Sequence, residues 1–233
     1  MPNENLLYVA DSLYTPYGDK SDQQIETRVL KIADFLNTKK VKAIVVACNT
    51  ATAAAIKNLR EKYQIPIIGL EPALKPAVNY SPNGRIGVLA TRSTLESEKY
   101  QTLRSRFDSN IELTEKASPL FVELVENTPV IGKNELKLIE DELHIFKQSK
   151  IDSLVLGCTH YPFLTQAIDK ILGPQVTLFE SGKPVAKELN RRLQGVLNLS
   201  EIAGNIQYFS SDPERTQKMF EQILEQKILL NKF

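Results

Sequence analysis

The sequence predicts an α/β protein built from two pseudo-symmetric, doubly wound domains with parallel sheets and an active site in the cleft between them. Short apolar runs typical of buried strands alternate with amphipathic stretches typical of helices along the whole chain. The two cysteines, Cys48 and Cys158, each follow such a run in similar sequence contexts, 110 positions apart. A polar, turn-rich stretch at 79–84 lies between them.

Each strand is predicted where β-branched residues and leucine cluster over about five positions, as in strands buried on both faces of a parallel sheet. Such runs occupy residues 6–10, 43–47, 66–70, 86–90, 153–157, 176–179 and 206–209.

Helix starts are predicted from capping residues. Ser21 and Gln24 form a capping-box pattern, and the helix that follows has an apolar face of Ile25, Val29, Ile32, Ala33 and Leu36. Ser93, with an acidic residue three positions on, gives the same signal after the fourth run. Pro162 and Pro184 stand just inside two later helix starts.

Domain boundaries are predicted at the turn-rich stretch 79–84 and again near 180–184. The first domain then comprises residues 1–80 plus 185–233 and contains Cys48. The second comprises 81–184 and contains Cys158. The two cysteine segments form a weak internal repeat, one in each domain.

Composition excludes several classes of function. Across 233 residues, 29 Lys and Arg balance 28 Asp and Glu, so no basic surface for nucleic acid or for a membrane is predicted. No apolar run approaches the roughly 20 residues of a membrane span, and no secretory signal is visible at the start. Two cysteines cannot form a disulfide scaffold, and reduced thiols fit a cytoplasmic protein.

The position of the cysteines indicates acid–base chemistry at carbon. Open α/β sheets bind ligands at the carboxyl ends of their strands, which is where both thiols are predicted to lie. Two thiols on opposite sides of a substrate carbon supply an acid on one face and a base on the other. We therefore expect inversion at carbon with no cofactor and no metal ion. Asn49, Thr50 and Thr159 supply side-chain hydrogen-bond donors at the same strand ends, and His160 is placed to favour the thiolate of Cys158 or to pass a proton to it.

Five segments together resemble glutamate racemase. They are 16–21 (PYGDKS), 46–51 (VACNTA), 71–72 (EP), 84–91 (GRIGVLAT) and 156–162 (LGCTHYP), in the family's order over nearly the whole chain. The resemblance implies a cofactor-independent isomerase that interconverts L- and D-glutamate and supplies D-glutamate for peptidoglycan. It implies that Cys48 and Cys158 are the acid–base pair, that Tyr17 and Gly18 bind substrate, and that Glu126 is a carboxylate near the second thiol.

The chain departs from the family pattern in three places. Family members begin with a strand ending in Asp-Ser-Gly and a following helix, and that unit of about 25 to 30 residues is not found ahead of the first matching segment. We expect a misassigned start, a shortened chain or a degenerate copy. Glu123 stands where the family has proline, and Glu180 where it favours aspartate.

Simpler interpretations of the same residues stay open. The cysteines are also compatible with a buried apolar role or with a disulfide, and His160 with a helix cap. Tyr17 and Gly18 are compatible with an ordinary turn, and Glu71 with a helix-start acid. His144 is expected to be solvated and without a role.

Alternative functions follow from these departures. One is a racemase for another acidic amino acid, such as aspartate. Another is a catalytically impaired protein that keeps the fold to bind a partner, for example DNA gyrase, which some racemases of this family bind. A thiol redox protein is disfavoured because the sequence has no Cys-x-x-Cys. A homodimer is expected by resemblance.

Overall fold

The computed structural model describes residues 2–107, 111–127, 131–198 and 202–233. The chain divides into two compact units. Unit 1 comprises Met1–Val45, Ala54–Ile68 and Val185–Phe233, and unit 2 comprises Val46–Ala53 and Gly69–Pro184. Cys48 thus lies in the same compact unit as Cys158, whereas the predicted domains separate the two cysteines. As folding domains, 1–80 plus 185–233 and 81–184 stay a prediction.

Strands and helices alternate along the described residues. The strands are β1 (Leu6–Ala10), β2 (Ile44–Val46), β3 (Ile67–Gly69), β4 (Arg85–Ala90), β5 (Glu112–Ala117), β6 (Ser153–Leu156), β7 (Thr177–Phe179), β8 (Ile206–Ser210) and β9 (Leu230–Lys232). The helices are α1 (Asp22–Thr38), α2 (Asn49–Lys62), α3 (Leu74–Tyr80), α4 (Arg92–Glu96), α5 (Glu98–Ser105), α6 (Pro119–Asn127), α7 (Lys133–Gln148), α8 (Thr165–Leu172), α9 (Gly182–Arg192) and α10 (Pro213–Ile223), with a 3-10 turn at Tyr161–Leu164.

Unit 1 contains a parallel sheet in the order β1-β8-β9, in which β8 lies between the first strand and the last. The strands β2 and β3 form a separate two-stranded sheet. Helix α1 begins at the predicted capping box of Ser21 and Gln24, which is confirmed. Its buried side chains are Ile25, Val29, Ala33 and Leu36, and Phe35 meets the ring of Phe209 edge-on at 5.1 Å.

Unit 2 contains a four-stranded parallel sheet in the order β5-β4-β6-β7. Strands β4 and β6 lie inside the sheet and are almost fully buried, as their continuous apolar sequences predict. Strand β5 is not predicted from the sequence. Its sequence, ELTEKA, contains no apolar run. Charged side chains are tolerated here because β5 lies at the edge of the sheet, where they reach solvent or other polar groups.

One predicted helix start is wrong. Helix α4 is capped by Thr91, whose hydroxyl accepts a hydrogen bond from the Thr94 N–H, and not by Ser93. Strand β4 ends at Ala90, so the chain turns into the helix one residue later and leaves Ser93 inside the first turn. Ser97 caps the next helix in the same way.

The prediction of an α/β fold with parallel sheets is confirmed by these two units. Among the described residues, no helix combines the length and the apolar character that crossing a bilayer requires.

Candidate active site

Cys48 lies between the end of β2 and the first turn of α2. The Ala51 N–H donates to the Cys48 Sγ atom at 3.4 Å. The Cys48 carbonyl accepts a hydrogen bond from the Thr52 N–H at 2.9 Å. Burial raises the pKa of the Cys48 thiol, while the N–H groups of Ala51 and Thr50 and the Thr50 hydroxyl act against that rise. The helix start thus holds its donors against the sulfur and favours the thiolate where burial disfavours it.

The Thr52 side chain holds this turn in place through two hydrogen bonds. Its fully buried hydroxyl donates to the Val46 carbonyl at 3.2 Å and accepts from the Leu70 N–H at 3.0 Å. One side chain therefore joins the end of β2 to the residue that follows β3. Cys48 is held on a turn that is hydrogen-bonded on both sides.

Asn49 and Thr50 are both buried beside the thiol. The Thr50 hydroxyl lies 2.9 Å from that of Thr91 and 3.2 Å from that of Thr94. The buried Asn49 Oδ1 atom has no hydrogen-bond partner among the described residues. An unpaired buried acceptor is costly, so this atom is suited to a ligand that brings a donor.

Thr91 and Thr94 are not among the site residues predicted from the sequence. Thr91 directly follows β4, at the same carboxyl edge of the sheet as Cys158, which follows β6. The strand-end rule applied to all strands, rather than to the cysteine-bearing ones alone, would have found it.

Cys158 lies two residues after β6 and is 8 % exposed. Burial raises the pKa of Cys158 to about 12, the charge of Cys48 adds to the rise, and the N–H groups of His160 and Tyr161 oppose it. Both cysteines belong to unit 2. Neither forms a disulfide.

His160 connects the second thiol to a carboxylate. Its Nδ1 atom lies 3.8 Å from the Cys158 Sγ, and its Nε2 atom lies 2.7 Å from the Glu126 Oε1. The imidazole stands at the start of the 3-10 turn but makes no capping hydrogen bond, so the helix-cap interpretation is wrong. Glu126 comes from the last turn of α6, despite the departure at Glu123 one turn earlier.

Thr159 links the two cysteine segments directly. Its hydroxyl donates to the carbonyl of Ala47, the residue before Cys48, at 3.2 Å. Gly157 allows the second segment to approach β4, since a Cβ atom there would lie 2.8 Å from the Ala90 Cβ. The structure therefore brings together the predicted residues Cys48, Asn49, Thr50, Glu126, Cys158, Thr159 and His160 within unit 2.

Tyr17 and Gly18 belong to unit 1, in the segment between β1 and α1. The Lys20 N–H donates to the Tyr17 carbonyl at 3.1 Å, so the segment does turn here. The Tyr17 hydroxyl donates to the Asp11 carboxylate at 2.6 Å.

A family model described as "Asp/Glu/Hydantoin racemase" matches residues 2–189. The chain belongs to the Asp/Glu/hydantoin racemase family. Its curated relatives include the glutamate racemase of Methylococcus capsulatus, 45 % identical over 215 residues that cover 91 % of this chain and 79 % of the relative. Another is the glutamate racemase of Clostridium perfringens, 38 % identical over 231 residues that cover 97 % and 89 %.

Solved structures of glutamate racemases share this racemase fold. An isoform from Bacillus anthracis superimposes with a TM-score of 0.90 at 31 % identity and covers 100 % of this chain and 88 % of its own. The Escherichia coli enzyme, solved with L-glutamate and the activator UDP-MurNAc-ala, has a TM-score of 0.88 at 29 % identity. The match covers 100 % of this chain and 89 % of the Escherichia coli chain. The resemblance drawn from the sequence motifs is confirmed.

Proposed function

We propose that this chain interconverts L- and D-glutamate with Cys48 and Cys158 as the two acid–base residues. The observation that supports the proposal is the placement of both thiols at strand ends within unit 2, with Thr159 hydrogen-bonded to the residue before Cys48. The glutamate racemases among the relatives favour glutamate over aspartate as the substrate.

In the proposed reaction, one thiolate removes the Cα proton, and the C–H electron pair stays on carbon as a carbanion. The opposite thiol then delivers its proton to the other face, which leaves the second sulfur as the thiolate. In the reverse direction the roles exchange. Atoms and charge balance without an oxidant, a reductant or a cofactor. The N–H groups at the turn after each cysteine stabilise the negative charge that develops.

His160 and Glu126 are proposed to serve Cys158 in particular. The imidazole lies between the sulfur and the carboxylate, so a proton on His160 stabilises the Cys158 thiolate and Glu126 stabilises the imidazolium. Burial is the main cause that raises the pKa of the Cys158 thiol to about 12, so this pair is proposed to stabilise the thiolate that burial disfavours.

Asn49, Thr50 and Thr159 are proposed to contact the substrate. Tyr17 and Gly18, which belong to unit 1, stay predicted substrate-binding residues. The Asn49 Oδ1 atom is an acceptor suited to the substrate ammonium group, since it is buried and has no partner among the described residues. The hydroxyls of Thr50, Thr91 and Thr94 form a buried polar cluster suited to a carboxylate.

We further propose the setting that the family implies: a cytoplasmic enzyme that supplies D-glutamate for peptidoglycan. A homodimer and an interaction with DNA gyrase stay predictions. Light scattering of the purified chain tests the first, and co-purification with gyrase subunits tests the second.

The two-thiol mechanism is tested by isotope exchange at Cα in D₂O with the unchanged chain and the variants Cys48→Ser and Cys158→Ser. The unchanged chain should invert both enantiomers with uptake of deuterium. Each variant should lose racemisation by at least about a hundredfold, because one face has no thiol. Each should still exchange the Cα proton of one enantiomer, and the enantiomer should differ between the two variants.

Two outcomes contradict the proposal. No exchange by the folded, unchanged chain would exclude racemase activity. Racemisation that survives in either serine variant would exclude that cysteine as an essential acid–base group. The double variant Cys48→Ser and Cys158→Ser is the control for background exchange.

A further inference from the structure

A partly buried ionic cluster in unit 1 stands directly beside the Tyr17 turn. The Asp11 carboxylate, 6 % exposed, accepts hydrogen bonds from Arg28 Nε at 2.9 Å and from a terminal guanidinium nitrogen at 2.6 Å. It also accepts the Tyr17 hydroxyl at 2.6 Å. Arg28 is itself 13 % exposed, and its guanidinium lies 3.7 Å from the centre of the Tyr14 ring.

This cluster ties a segment without strand or helix to two regular elements. Asp11 directly follows β1, and Arg28 lies on α1, two turns into the helix. The Asp11 carbonyl accepts the N–H groups of Tyr14 and Thr15, so Asp11 holds the segment through its main chain as well as through its carboxylate. The segment that leads to Tyr17 is therefore anchored at Asp11 and clamped by Arg28.

The geometry needs a guanidinium at position 28. A planar fork binds both carboxylate oxygens and still presents a face to the Tyr14 ring, which an ammonium group cannot do. The hydrogen bonds that Arg28 donates to Asp11 raise the pKa of Arg28, so the guanidinium stays charged. With Arg28 in place, Asp11 Oδ2 is fixed in position to accept the Tyr17 hydroxyl.

The Tyr17 hydroxyl is donated to Asp11, so the position of the Tyr17 side chain is tied to that carboxylate. The placement of main-chain groups depends on the conformation of the whole turn. That conformation is set by the Asp11 carboxylate, which is itself held by Arg28.

We infer that Arg28 is a positioning residue for substrate binding: through Asp11 it holds the Tyr17–Gly18 turn in the conformation that receives glutamate. The inference rests on the proposed function of that turn. Arg28 does not touch the reacting atoms, so its loss weakens substrate binding in the ground state and the transition state alike. The expected signature is a higher KM at an almost unchanged kcat.

The experiment compares Tyr17→Phe, Arg28→Lys and Arg28→Met with the unchanged chain, measuring kcat, KM for both enantiomers and Tm. Tyr17→Phe keeps the ring and removes only the hydroxyl, and we expect an approximately tenfold higher KM with kcat within about twofold. Arg28→Met should raise KM at least as much. Arg28→Lys should recover much of the Tm lost in Arg28→Met but not the KM.

The control is Lys42→Met, which breaks another ion pair of unit 1. Lys42 lies 2.6 Å from the buried Glu4 and donates to the Val196 carbonyl, and both partners lie outside the Tyr17 turn. The Lys42→Met variant should have a lower Tm and an unchanged KM. KM values unchanged in folded Tyr17→Phe and Arg28→Met would overturn the inference alone. No turnover by the unchanged chain would instead overturn the proposed function.

Discussion

The imidazole of His160 lies between Cys158 and Glu126, with Nδ1 3.8 Å from the sulfur and Nε2 2.7 Å from a carboxylate oxygen. Glu126 is 34 positions away in sequence and comes from a different helix. In the described residues Cys48 has no such histidine and instead faces the N–H groups at the start of α2. The two thiols therefore have different surroundings within unit 2.

This asymmetry predicts that His160→Asn impairs Cys158 more than Cys48. In a Cys48→Ser background, where Cys158 alone remains, His160→Asn should reduce exchange of the Cα proton by about tenfold to a hundredfold. In a Cys158→Ser background the same substitution should change exchange by less than about threefold. The measurement is the rate of deuterium uptake from D₂O by each enantiomer.

Loss of the Glu126 carboxylate should also impair Cys158, but less than loss of His160 does. Glu126→Gln keeps a hydrogen-bond acceptor for His160 and loses the charge, so we expect an approximately tenfold lower kcat with the loss confined to the Cys158 step. Two matched controls exist: Glu123→Gln on the exposed face of α6, and His144→Asn on the exposed face of α7. Equal losses in Glu123→Gln and Glu126→Gln would refute a role for the His160 contact.

Cys158 should make stability fall at alkaline pH. A thiol in the unfolded chain has a pKa of about 8.5, while burial raises the pKa of Cys158 to about 12 in the folded chain. The fold therefore favours the protonated thiol. Its contribution to stability is complete below pH of about 8.5 and is lost as the pH rises to about 12.

The check is urea unfolding of the unchanged chain and of Cys158→Ser between pH 7 and pH of about 10.5. Above pH of about 8.5, the unchanged chain should lose unfolding free energy relative to Cys158→Ser, by at most about 1.4 kcal/mol per pH unit. Parallel stability curves would mean that the Cys158 thiol is not held protonated by the fold.

Thr91 should influence both stability and substrate binding. Thr91→Ala removes the cap of α4 and costs about 1 kcal/mol, and it also removes one of the two hydroxyls that contact the Thr50 hydroxyl. We expect a severalfold higher KM for glutamate. Ser97→Ala removes the corresponding cap of α5 at a similar cost in stability and should leave KM unchanged. Equal KM values in the two variants would refute a role for the hydroxyl cluster.

Gly157 should tolerate no side chain. A Cβ atom would lie 2.8 Å from the Ala90 Cβ and 3.1 Å from the Leu89 carbonyl oxygen, so β6 must move away from β4. We expect Gly157→Ala to cost about 1–3 kcal/mol of unfolding free energy and to reduce kcat, since Cys158 is the next residue. Gly182→Ala is the control, because its Cβ would meet Glu180 at an ordinary 3.6 Å. Thermal unfolding and kcat of both variants decide the point.

The sequence by itself determined the elements whose signal is local. Buried parallel strands such as β4 and β6 read as continuous apolar runs, and the capping box at Ser21 fixes the start of α1 through hydrogen bonds only three residues apart. The two cysteines could be placed at strand ends because each follows such an apolar run. The motifs around them were enough to name the family.

Tertiary structure alone decided what depends on distant contacts. The edge strand β5 carries no apolar run, and its identity comes from pairing with β4. Sequence spacing does not bring Thr91 to Thr50 or Arg28 to Asp11, because such contacts depend on which strand ends meet and which helix face turns inward. A local pattern states which residues lie at a strand end, but only the packed chain sets which hydrogen-bond partners each of them finds there.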